Sequence, residues 1–169
     1  SSDLNLSSNT SFNAYQAMYG NTYFFDKVRT ILSQDDATFA NFEGTLTTST
    51  ERKDKPYAFK ADPSYAQILT DGSIEVVTLA NNHSSDYGEQ SLTDTQNALE
   101  GAGVQWCQDD TVAYMDLNGV KTAFIGIYAL ENGLESMDQV LSTIAEAKEN
   151  GSDLIIIHFH WGVELVTTL

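Results

Sequence analysis

Apolar residues recur along this chain in two periods, and their alternation predicts a layered α/β fold. Phe24, Phe25, Val28, Ile31 and Leu32 fall at helical spacing, which predicts an amphipathic helix over 22–34. "ATFANFEG" (37–44) reads as a strand ending at Gly44, and "TLTTSTERKDKP" as a loop. In "ADPSYAQILTDG", Asp62 is a predicted helix N-cap, Pro63 the first helical residue and Gly72 the stop. "SIEVVTLA" is too uniformly apolar for a half-exposed strand, so a buried one is predicted. A helix over 89–101 follows, with Leu92, Thr95 and Leu99 on one face, and then a short strand, "VQW". Two strand-like runs flank Asn118-Gly119, the preferred dipeptide of a tight hairpin turn. A helix over 133–149 is predicted to turn Leu134, Met137, Leu141 and Ile144 inward, with Gly151 ending it. "SDLIIIHFHWG" closes the pattern as a buried strand.

Helices and strands alternate with one hairpin inserted, which points to a sandwich built on a largely parallel or mixed sheet. The opening "SSDLNLSSNTS" is polar and reads as a loop, so residues 1–20 are set apart from a single domain over 21–169. The length suits one domain with a real core, and no internal repeat or long linker divides it.

In such sheets ligands sit outside the carboxyl ends of the strands. Three strands here end in chemistry: "NFEG" with Asn41 and Glu43, "NNH" with Asn81, Asn82 and His83, and "HFHWG" with His158 and His160. A histidine at a strand end is often a hydrogen-bonded structural residue, and paired Asn is ordinary turn chemistry. That all three histidines of the chain fall at strand ends favours a site. His158 and His160 are two apart, so a strand points both to one face, as two ligands of one ion or as a ligand and its orienting neighbour. Carboxylate, amide carbonyl and imidazole together suit a divalent ion such as Mn, Zn, Fe or Mg. The single Cys107 excludes a zinc-thiolate site, and there is no G-x-S-x-G, P-loop or G-x-G-x-x-G motif.

Charge narrows the partners. With 24 acidic against 8 basic residues the net charge is -16, which repels nucleic acid and anionic lipid. Arg52, Lys53, Lys55 and Lys60 make up half the positive charge and follow "NFEG" directly. They form either a solvated loop or a cationic lip that guides an anionic substrate. No segment is long and apolar enough to span a membrane as a helix.

"ANFEGTLT", "YAFKADPSY", "LANNHSSDYGEQSLTDT", "ALEGAGV" and "HFHWGVE" resemble, in order and spacing, the CapA family of bacterial capsule-synthesis proteins linked to poly-γ-glutamate. The resemblance runs from about residue 20 to the last residue. It implies a branch of the calcineurin-like metallophosphoesterases: a layered α/β sandwich with a two-metal site at the strand ends. By that resemblance Asn82 and His83 stand at a G-N-H motif, Asn82 as metal ligand and His83 as the catalytic group at the substrate phosphate. His160 stands at a metal-ligand histidine and Glu43 at an acidic ligand, although "NFEG" departs from the G-D motif; His158 has no clear counterpart in the family and is a further candidate ligand or an orienting neighbour. Lys60 and Asn81 are the candidate substrate contacts. The family pattern also has a G-D-x-x-L-G strand before these segments and a G-H-H-P-H-like strand after them, so the chain is expected to be truncated at both ends of the fold. Two functions follow: a metal-dependent phosphoesterase-like hydrolase of capsule biosynthesis, or a non-catalytic polymer-handling or assembly protein. The resemblance further implies an extracytoplasmic, cell-surface location with a membrane anchor in the full-length form. Expected partners are the capsule machinery or an anionic polymer, and a companion fragment or second copy at an exposed sheet edge.

Overall fold

The computed structural model describes residues 3–130 and 136–162. In chain order the elements are β1 (Asp3–Leu4), α1 (Thr10–Tyr19), α2 (Arg29–Leu32), β2 (Phe39–Phe42), β3 (Thr45–Leu46), β4 (Lys60–Ala61), α3 (Ala66–Asp71), β5 (Val76–Thr78), α4 (Glu89–Ala102), β6 (Gln105–Cys107), β7 (Ala113–Leu117), β8 (Val120–Tyr128), α5 (Met137–Glu149) and β9 (Leu154–His160). One sheet has the order β1-β2-β5-β6, all parallel. A second has the order β7-β8-β9, with β8 antiparallel to β7 and parallel to β9. β3 and β4 make a separate parallel ribbon.

Period-two alternation sorts the strand side chains into layers. Ala40, Phe42 and Val77 pack with Ile68, Leu69 and Leu99 under the helices of the first half. The intervening positions Phe39 and Val76 meet Phe124 and Ile156 of the second sheet. Ala123, Ile125 and Ile127 turn the other way, onto Val140, Ile144 and Ala147 of α5. The order is therefore helices, sheet, sheet, helix: an α/β sandwich, consistent with the metallophosphoesterase relation. Full burial of Ile68, Leu69 and Leu99 stabilises this arrangement by about 1.5–3 kcal/mol for each side chain.

The hairpin forms as its turn dipeptide predicts. Leu117 pairs with Val120, and Asn118 and Gly119 take φ 55° and 89°, the double positive φ of a type I′ turn. Asp62 caps Ser64 N–H, although the helix starts with a 3₁₀ turn over Pro63–Tyr65 before α3.

Five local expectations change. The predicted helix over 22–34 is a 3₁₀ turn (Asn21–Phe24) and the single turn of α2. Phe25 between them takes φ -115° and ψ 1°, which interrupts the α geometry, and its ring lies over Gly72 where even a Cβ would come within 2.4 Å. Val28 and Ile31 are left exposed. On α5 the inward stripe is Val140, Ile144 and Ala147, while Met137 and Leu141 face solvent. Two apolar stripes shared Ile144, and the sheet took the one with the small Ala147; Leu134 lies outside the described residues. β9 is half-exposed, not buried, because among the described residues it pairs on one side only, with β8. The opening polar segment contains β1 and most of it precedes α1, whose N-cap Asn9 accepts from Phe12 N–H. The loop after "NFEG" begins as β3, whose Thr45 and Leu46 are fully buried.

Candidate functional site

Asparagine side chains tie the ends of β2 and β5 together. Asn81, just past β5, donates from Nδ2 to Asn41 Oδ1 (2.9 Å) and to the Phe42 carbonyl (2.8 Å). Its Oδ1 accepts from His83 N–H (2.9 Å). Asn41 Nδ2 in turn donates to Glu43 Oε2 (3.0 Å). A buried amide with this many partners fixes backbone as firmly as a ladder. The Asn81 amide, predicted to contact substrate, is thus committed to the scaffold, and it orients both Glu43 and the turn that carries His83.

His83 is buried and held from two sides. Its Nδ1 lies 2.8 Å from Asp86 Oδ2, and its Nε2 lies 3.7 Å from Glu43 Oε1. A carboxylate only accepts, so Nδ1 carries the proton toward Asp86 and Nε2 is the ring nitrogen turned to Glu43. Phe59 packs on the ring at 4.5 Å. Asp86 has no solvent exposure and also accepts from Lys55 Nζ (2.5 Å) and Phe59 N–H (2.7 Å). Burial pushes its pKa up, but the hydrogen bonds from His83, Lys55 and Phe59 outweigh this and hold it below the usual carboxylate range.

His160, at the carboxyl end of β9, places Nε2 3.1 Å from Asn82 Oδ1 and stacks on Tyr128. The structure therefore brings Glu43, Asn82, His83 and His160 together as two touching pairs joined at the Asn82–His83 peptide. His158 faces the same way two residues deeper, between the sheets, edge-on to Phe39 at 6.0 Å. Asn82 Oδ1 and His160 Nε2 are hydrogen-bonded at 3.1 Å, and an amide oxygen and an imidazole nitrogen are atom types that could hold one divalent ion between them. Among the described residues, however, no three His, Cys, Asp or Glu side chains converge into a metal cage. They supply a donor pair and not a complete ligand set.

The basic loop divides into scaffold and lip. Arg52 donates to the carbonyls of Lys53 and Lys55 and holds the loop's own shape. Lys60 Nζ donates to the Ser49 carbonyl and lies 4.6 Å over the Tyr87 ring, fixed there by β4. Lys53 and Lys55 instead line a cavity of about 720 Å³ with Asn81, Asn82, Asp109 and Tyr128. This cavity joins the carboxyl ends of β5, β6 and β8. Sequence reasoning did not single out Asp86, although it stands three residues after His83 in the quoted motif, and it gave no signal for Asp109.

A family model described as "Bacterial capsule synthesis protein PGA_cap" matches residues 3–168. The chain is 28% identical over 172 residues to the capsule biosynthesis protein CapA of Bacillus anthracis, covering 86% of this chain and 42% of that protein. It is 26% identical over 162 residues to the PGA biosynthesis protein CapA of Bacillus subtilis (strain 168), covering 83% and 42%. Over 71 residues, 41% of this chain and 19% of the relative, it is 44% identical to a probable polyglutamine synthesis accessory protein of Mycobacterium tuberculosis. The chain thus spans less than half the length of these curated relatives. Its sequence motifs, its sandwich fold and a family match over almost every residue agree: the chain belongs to the PGA_cap family of bacterial capsule synthesis proteins.

Proposed function

We propose that this chain is part of a capsule biosynthesis protein of the poly-γ-glutamate type, with a phosphoesterase-like site in which His83 moves the proton. The observation that carries this reading is the Asp86–His83 pair, with Nε2 turned to Glu43 at a strand-end site. Asp86 fixes the tautomer and ring plane, so Nε2 can give a proton to a leaving oxygen or take one from an attacking water. Lys53, which lines the cavity and donates from Nζ to Ser85 Oγ, attracts the anionic group. The acidic surface elsewhere directs such a ligand to this lip.

The divalent ion is proposed on Asn82 and His160, with Glu43 and His158 as the other candidate ligands. When bound it would polarise a phosphoryl or carbonyl oxygen; no step above depends on it. Titrating Mn or Zn into the intact protein should show weaker binding for His160→Ala than for wild type, and equal binding would remove His160 from the ligand set. The proposal also places the intact protein at the cell surface, anchored to the membrane and working with the capsule machinery.

The second reading is a non-catalytic polymer-handling protein, favoured by the incomplete ligand set of the described residues. Both are tested by assaying the intact protein for phosphomonoester and phosphodiester hydrolysis with Mn or Zn, beside its binding of poly-γ-glutamate. His83→Gln should abolish turnover and keep polymer binding. Turnover that survives this change rules out His83 as the proton carrier. Polymer binding without any turnover selects the second reading.

A further inference from the structure

Asp109 takes part in none of the steps above, yet it lines the same cavity as Lys53. It follows β6 with φ 46°, a left-handed conformation that is uncommon for a residue with a side chain. Two contacts hold it there: its N–H donates to the Gly126 carbonyl (2.9 Å), and its Oδ1 accepts from Tyr128 N–H (3.3 Å). Among the described residues no Lys, Arg or His forms an ion pair with its carboxylate. Burial and the adjacent Asp110 push its pKa up, and the Tyr128 N–H only partly opposes them. A half-buried carboxylate without a cation, facing a ligand-sized cavity, calls for a positively charged donor from the ligand.

We propose that Asp109 and Lys53 are the two poles of a site for a zwitterion, and that it takes the amino-terminal residue of a γ-linked glutamate chain. The α-ammonium would sit on Asp109 and the neighbouring α-carboxylate on Lys53. In a γ-linked chain every residue keeps its α-carboxylate, but only the amino-terminal one keeps a free α-ammonium. A site with both poles therefore distinguishes the chain end from the interior, where Lys53 alone would bind any residue. The cavity of about 720 Å³ falls within the range of about 300–1,000 Å³ typical of small-ligand sites. This inference rests on the polymer reading above and deepens it.

The test is calorimetric binding of γ-linked triglutamate to the intact protein, with the amino terminus free and N-acetylated. Wild type should bind the free form about tenfold more tightly, the contribution of one charge-assisted contact. Asp109→Asn, which tolerates the same backbone, should bind both forms equally, at the affinity of the acetylated one. Lys53→Gln should weaken both alike. Equal binding of the two forms by wild type overturns the proposal and leaves the polymer reading standing. Unchanged discrimination in Asp109→Asn removes Asp109 from the site. Binding of neither form overturns both readings.

Discussion

Asp86→Ala is expected to lower stability by about 3–5 kcal/mol, the cost of leaving buried donors without their shared acceptor. Three groups bond to this one carboxylate: the His83 ring, the Lys55 ammonium and Phe59 N–H. Lys55 also donates to the Asn82 carbonyl, so its displacement reaches the turn carrying both candidate site residues. Denaturant unfolding of wild type and variant measures the loss, and a change under about 1 kcal/mol would mean that water replaces the carboxylate freely. The same group predicts an acid limb. Its folded pKa is depressed, so the unfolded chain binds this proton more readily than the folded one. The stability it contributes is therefore complete above the ordinary carboxylate range and is lost as pH falls through the lower folded value. Asp86→Asn should flatten that limb in unfolding midpoints measured from pH 7 down to pH 3.

The layers, and the strand ends at which the candidate residues gather, are legible in the sequence because both depend on periodicity. Phe39, Asn41 and Phe42 obey period two whatever packs on them, and the motifs at 41–43, 81–83 and 158–160 sit where a parallel sheet exposes its strand ends. Elements decided by a distant partner were not legible. Nothing local marks Phe25 as the residue that breaks a helix, because the cause is Gly72 nearly fifty positions on. Nothing local separates the two stripes of α5, because the choice belongs to β8 and β9. The site shows the same division. His83 and His160 were chosen for their residue type and position. Asp86 and Asp109 are ordinary acids in a chain of 24, and they gain meaning only from burial and from the neighbours that folding brings. Of the four cations of the basic loop the sequence favours Lys60 as a substrate contact, yet Lys60 and Arg52 hold carbonyls of the loop, while Lys53 and Lys55 line the cavity and bond to Ser85 and Asp86.

Gly126→Ala is expected to destabilise the protein by about 3 kcal/mol, at the upper end of overpacking costs. Gly126 lies on the face of β8 that meets the first sheet, and a Cβ there would come 1.9 Å from Thr78 Oγ1 and 2.8 Å from Thr78 Cβ. Rotating Thr78 about χ1 moves Oγ1 and the methyl but not Cβ, and it would forfeit the acceptor that Ala80 N–H uses at 3.0 Å. The remaining contact involves Cβ, which moves only with the backbone of β5, so the two sheets must part. They would part next to the site, since the Gly126 carbonyl accepts from Asp109 N–H and Gly126 pairs in register with His158. The cause can be isolated with a second substitution. Thr78→Gly alone should cost stability, because it removes the acceptor and places glycine within a strand. Combined with Gly126→Ala it frees the space the methyl needs, so the double variant should be more stable than the sum of the two losses by about 1–3 kcal/mol. Strict additivity would show that the sheets already separate without cost at this point. The close approach of β5 and β8 would then not set the spacing that brings Asn82, Asp109 and Tyr128 to one cavity.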